Sequence, residues 1–89
     1  MKLLYSFKYV RIGGETTVVP VGTGAASLHG VLTLNETGEE MLRLIEQSET
    51  PEDVLGKLMQ AHPEEDIREV AELLCGFLNR LLEEQLLKP

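Results

Sequence analysis

Tryptophan is absent from this sequence, and two Tyr and two Phe are its only aromatic residues. Whatever core it builds is therefore aliphatic, and Leu dominates the second half. A single cysteine, Cys75, excludes an internal disulfide and fits a reducing compartment, so the chain is expected in the cytoplasm. Basic residues are scarce: eight Lys and Arg against fifteen Asp and Glu leave a net charge of −7. Phosphate backbones and anionic lipid both select clustered Lys and Arg, so neither nucleic acid nor membrane is an expected partner. The partners that remain are neutral, basic or apolar, and much of the acid serves solubility. No stretch is long and apolar enough to span a bilayer. Met1 to Tyr5 is too short for a signal-peptide core and is soon followed by charge.

Catalytic groupings are missing too. His29 and His62 stand alone, at no ligand spacing from Cys75 or a carboxylate pair. No nucleophile is placed beside a base. Gly22-Thr23-Gly24 lacks the remaining glycines and the Lys of a phosphate loop. The acid runs Glu39-Glu40, Glu64-Glu65-Asp66 and Glu83-Glu84 mark helix ends and solvated faces. Cys75, inside a Leu-rich segment, reads as an inert small hydrophobe rather than a reactive thiol. No catalytic residue, metal ligand or cofactor is assigned, and the chain is not expected to be an enzyme.

What is present is one domain's worth of chain: 89 residues, 43% of them hydrophobic, enough to exclude global disorder. Its halves differ in texture but share one core, so residues 1–89 are taken as a single domain. Val, Thr, Tyr and Gly before Asn35 predict strands over Phe7–Ile12, Thr16–Val21 and Gly30–Leu34. Gly13-Gly14 supplies the positive φ of a hairpin. Pro20 must lie near a strand end, bulge or edge. Gly22 to Ser27 reads as a loop. In the third strand, Leu32 and Leu34 share one face, Val31 and Thr33 the other. Three helices follow. Asn35 or Thr37 caps the first. Thr50-Pro51-Glu52-Asp53 starts the second with a cap, a Pro and first-turn acid. His62-Pro63 breaks the chain before a third, from about Glu64 to Glu84.

The third helix carries more apolar surface than one core requires. Ile67, Val70, Ala71, Leu73, Leu74, Cys75, Phe77, Leu78, Leu81 and Leu82 fall within an arc of roughly 200°, at 100° per residue. A stripe of about 100° suffices for a surface helix. Leu73 and Phe77 form one shoulder of the arc, Cys75 and Leu82 the other. Burial of both between sheet and helices and exposure of one as a groove or dimer contact are alternatives at this stage.

The stretch Leu34-Asn35-Glu36-Thr37-Gly38 resembles the PqqD family, in which a strand ending in Leu-Asn runs into a helix opened by Thr or Ser and a small residue. Met41, Leu42, Leu44 and Ile45 follow at the family's apolar positions. Thr50 to Val54 with Leu58 is similar to its second helix, and Ile67 to Leu82 to its long third. Two departures stand out. Gln85 replaces a Gly before the final apolar pair, Leu86-Leu87, and Gln47-Ser48-Glu49 replaces a Gly-containing link after the first helix.

The resemblance implies an α+β, winged-helix-like fold, a three-stranded antiparallel sheet packed on three helices. It further implies a peptide-binding adaptor, or peptide chaperone. Such a domain holds the leader of a ribosomally made precursor peptide and presents it to a modifying enzyme, often a radical SAM maturase, in the biosynthesis of PQQ or another modified peptide. The leader adds a strand to the third strand's open edge and rests in a groove against the third helix. The peptide-binding residues so implied are Val31, Leu32, Thr33 and Leu34 with Val70, Leu73, Leu74 and Phe77. An open edge offers the unpaired main-chain groups that this mechanism needs. A homodimerisation or protein-interaction module without a peptide ligand uses the same surplus surface. A winged-helix DNA-binding regulator is disfavoured, because Arg68 and Arg80 lie on an otherwise acidic helix. An acyl carrier is rejected, since Ala26-Ser27-Leu28 does not open a helix.

Overall fold

The computed structural model describes residues 1–22 and 32–88. In chain order it runs β1 (Lys2–Leu3), β2 (Ser6–Ile12), β3 (Glu15–Val21), β4 (Leu32–Leu34), α1 (Glu36–Glu46), α2 (Pro51–Ala61), α3 (Ile67–Glu83) and β5 (Leu87–Lys88). The sheet order is β2-β3-β4, antiparallel throughout, and the three helices follow it: the expected α+β, winged-helix-like arrangement. Of the predicted third strand, Gly30 and Val31 lie outside the described residues, as do Thr23 to Ser27 of the expected loop and His29.

Local signals position these elements. β2 and β3 turn over Gly13-Gly14, and only Gly13 takes a positive φ, 64°, which matches a turn of the II′ class. Asn35, not Thr37, caps α1, its Oδ1 accepting from the Gly38 N–H at 2.8 Å. Gly38 is there for close approach. A Cβ on it would stand 3.2 Å from Leu34 Cβ, so a side chain would push the first turn of α1 away from β4. Thr50 caps α2, accepting from the Asp53 N–H at 3.2 Å, with Pro51 at the first helical position. The third helix begins at Ile67 rather than Glu64. Pro63 and Glu64 form a turn closed by the Glu65 N–H donating to the His62 carbonyl, and Asp66 is the cap.

The core lies where the sheet meets the helices. Val18, Leu32 and Leu34 come from the sheet, Met41, Leu42 and Ile45 from α1, Val54 and Leu58 from α2, and Leu74 and Leu81 from α3. Leu86 and Leu87, after α3, complete it. α3 ends in a Schellman turn: the Leu86 N–H donates to the Leu81 carbonyl at 2.9 Å and the Gln85 N–H to the Leu82 carbonyl at 3.1 Å. Gln85 adopts φ 61° there, in the left-handed region that glycine fills without steric penalty. The turn directs β5 onto β1, pairing Lys2 with Lys88 and Leu3 with Leu87. The other departure needs no glycine. The Lys57 Nζ donates to the Gln47 carbonyl and to Ser48 Oγ, both at 3.0 Å, which holds the α1–α2 link.

Candidate functional site

β4 has β3 on one side and, among the described residues, no strand on the other. Hairpin geometry decides which of its main-chain groups face the open side. A two-residue turn brings the Glu15 N–H to the Ile12 carbonyl, so odd-numbered residues of β3 bond to β2. Even-numbered ones face β4: Thr16 is opposite Leu34 and Val18 opposite Leu32, and these are the hydrogen-bonded pairs. Thr33, opposite Thr17, therefore directs its N–H and C=O outward. The same parity accounts for Pro20. Its missing donor faces the β4 side, beyond the stretch Thr16–Val18 along which β4 runs, and no ladder bond is lost.

Beside this edge runs a groove of about 610 Å³. Leu34, Met41, Leu73, Gly76 and Phe77 give it apolar walls and floor, while Thr33, Asn35, Thr37, Glu72 and Arg80 supply polar groups around it. Leu73 is 59% exposed, a large apolar side chain left uncovered at the groove. Phe77 is half-buried and packs against the core from the groove side. A second hollow of about 200 Å³ adjoins the first, sharing Thr37, Met41 and Leu73 with it. His62 and Glu40 line it, and His62 Nε2 lies 2.8 Å from Glu40 Oε1. The Glu40 carboxylate raises the His62 pKa, by hydrogen bonding first and by its charge second.

The opposite flank of α1 is closed by polar groups. The Glu39 carboxylate accepts from the Thr16 hydroxyl, from Arg11 at 2.9 Å and from Arg43 at 3.0 Å. These donors, Thr16 foremost, pull its pKa down to about 2. Tyr9 donates to Glu46, and the Arg43 guanidinium stacks 3.9 Å above its ring. Burial, and then Glu46, raise the Tyr9 pKa.

The structure distributes the sequence-predicted residues over three environments. Thr33, Leu34, Leu73 and Phe77 meet in the groove. Val70 lines the second hollow, which also takes in Leu73. Leu32 and Leu74, 5% and 3% exposed, belong to the core and line neither. Val31 lies outside the described residues. Sequence reasoning passed over Asn35, Thr37, Gly38 and Met41, which the Leu-Asn-Glu-Thr-Gly motif itself carries to the groove. It also passed over Glu72, Gly76 and Arg80. Their signal was spacing: Gly76 is three positions from Leu73, Arg80 three from Phe77, and Glu72 four from Gly76, so they neighbour one another on the helix surface. Cys75 and Leu82, the other shoulder of the arc, are both exposed, Leu82 at 36%. Among the described residues no cluster of His, Cys, Asp or Glu is placed to hold a metal, and no helix is long and apolar enough to cross a membrane.

An open edge strand running into a Leu-Asn-capped helix, with a long third helix alongside, is the arrangement expected from the motif. Residues 15–87 match the model of the family described as coenzyme PQQ synthesis protein D, PqqD. The chain belongs to the PqqD family. Among solved structures, one described as TbiB1 in complex with the TbiA(beta) leader peptide is similar. Its TM-score is 0.72 at 23% identity, with 99% of this chain and 95% of that chain covered, a likeness of fold. No curated protein sequence matches the chain.

Proposed function

We propose that this PqqD-family domain binds the leader of a ribosomally made precursor peptide by strand addition to β4 and presents it to a modifying enzyme, of radical SAM type. The observation that carries this reading is the outward-facing N–H and C=O of Thr33 beside an apolar groove floored by Leu73 and Phe77. Main-chain pairing supplies affinity with little sequence demand, and the groove reads alternate side chains. The match to a fold seen with a leader peptide supports the same assignment. No step of this role needs a catalytic group or a cofactor from the adaptor.

The test is calorimetric titration with the leader of a precursor peptide encoded beside this gene, on the parent and on Thr33→Pro. Binding by the parent, weakened in a variant with an unchanged melt, is the expected result. A folded Thr33→Pro variant that binds as tightly as the parent overturns strand addition.

A further inference from the structure

The α3 side of the groove carries two charges of opposite sign. Glu72 and Arg80 both line it, both are exposed, and neither has an ion-pair partner among the described residues. By contrast, Arg11, Arg43, Glu39 and Glu40 are all engaged in pairs. Eight residues on one helix separate Glu72 from Arg80 by about 12 Å along its axis, at 1.5 Å per residue. An extended peptide advances about 3.4 Å per residue, so about four residues cover that distance. Residues i, i+2 and i+4 of a strand point to the same side. Between the two charges the floor is Gly76 and Phe77. Gly76 has no side chain to fill it, and nothing lies within 4 Å of where its Cβ would be.

We propose that the groove selects an extended peptide carrying a basic side chain and an acidic side chain four positions apart, flanking an apolar one. The basic group meets Glu72, the acidic group meets Arg80, and the apolar residue rests over Gly76 against Phe77. This deepens the strand-addition reading and rests on it. An added strand that continues the antiparallel pattern of the sheet runs opposite to β4, and with its sense so set, Glu72 and Arg80 accept only one order of Lys or Arg and Asp or Glu. Because the pairs are exposed, each contributes modestly, and together they discriminate order by about tenfold at low salt.

A surface-display library of random nine-residue segments, sorted on the purified domain, tests this. The expected segments carry Lys or Arg and Asp or Glu four apart around an apolar residue, in one order only. Sorting on the double variant Glu72→Lys, Arg80→Glu inverts that order. A synthetic copy of a selected segment binds about tenfold more tightly than its charge-swapped form, and the gap narrows at about 1 M salt. Should the double variant not fold, Arg80→Gln alone removes the acidic preference and leaves the basic one. Selected segments that lose binding on Thr33→Pro yet show no charge order, or keep it on the double variant, overturn this inference and leave strand addition standing. A sort that yields no segment, or only segments indifferent to Thr33→Pro, overturns both.

Discussion

The two flanks of α1 are built on opposite plans. Toward β2 and β3, Glu39 accepts three hydrogen bonds, Tyr9 reaches Glu46, and Arg43 covers the Tyr9 ring, so polar groups there are matched. Toward β4 and α3, a strand edge with no partner among the described residues runs beside an apolar groove with an exposed Leu73. A domain of this size has little stability to spare. Confining unmet bonding capacity to one flank lets the other act as a fixed reference. The lesson is that the site is identified by what its groups lack, and the scaffold by what its groups already have.

The sharpest way to break this comparison is with proline at adjacent positions of β4. Leu32→Pro removes an inward donor and a core side chain, and should cost about 3–5 kcal/mol and abolish a cooperative melt. Thr33→Pro removes only an outward donor. It should keep the fold and weaken leader binding by about 0.5–1.5 kcal/mol in calorimetry. Equal loss of stability at both positions would contradict the deduced parity. Phe77→Ala comes next. Its ring is shared between core and groove, so stability should fall by about 1–2 kcal/mol, short of the ~3–5 kcal/mol for a buried Phe, and binding should fall with it. Gln85→Gly lies outside both flanks and should raise stability by up to about 1 kcal/mol, as glycine relieves the left-handed residue, read as a higher denaturant midpoint with unchanged slope.

Acid and base should separate the flanks further. Glu39 has a folded pKa lowered from 4.5 to about 2, so its contribution is complete above 4.5 and is lost as pH falls toward 2. His62 has a raised folded pKa, so its contribution is complete below 6.5 and is lost as pH rises through that raised value. Urea midpoints measured across pH should show Glu39→Gln flattening the acid limb and His62→Gln the limb above 6.5. The smallest effect belongs to Cys75→Ser, which should change stability by less than about 0.5 kcal/mol and leave binding intact, because the thiol is exposed.

Much of the fold was legible because it rests on local chemistry. Thr50-Pro51, the Gly13-Gly14 turn and the Leu-Asn junction each specify their conformation within a few residues. The strands β1 and β5 were not, since two residues carry no period and each forms only against a partner at the far end of the chain. The start of α3 was placed three residues early because Glu64 and Glu65 suit a first turn as well as a preceding one. At the site, the apolar residues showed through the surplus arc of α3, but the arc could not rank its shoulders. That Leu74 is core while Leu73 is groove depends on where α2 and β4 pack. Glu72 and Arg80 were hidden for another reason: a charged residue on a helix looks solvated until its neighbours turn out to be the walls of a groove.

The pairing of β1 with β5 has an engineering consequence. Lys2 and Lys88 are antiparallel partners, so the chain enters and leaves this fold side by side, as it does at the base of a hairpin. The two-stranded clasp is a separate sheet from β2-β3-β4. The domain can therefore be spliced into a surface loop of a host protein in place of a tight turn, without stretching either junction. A host enzyme receiving it that way gains a peptide-capturing module on two short tethers, and capture becomes an intramolecular event governed by effective concentration rather than by encounter.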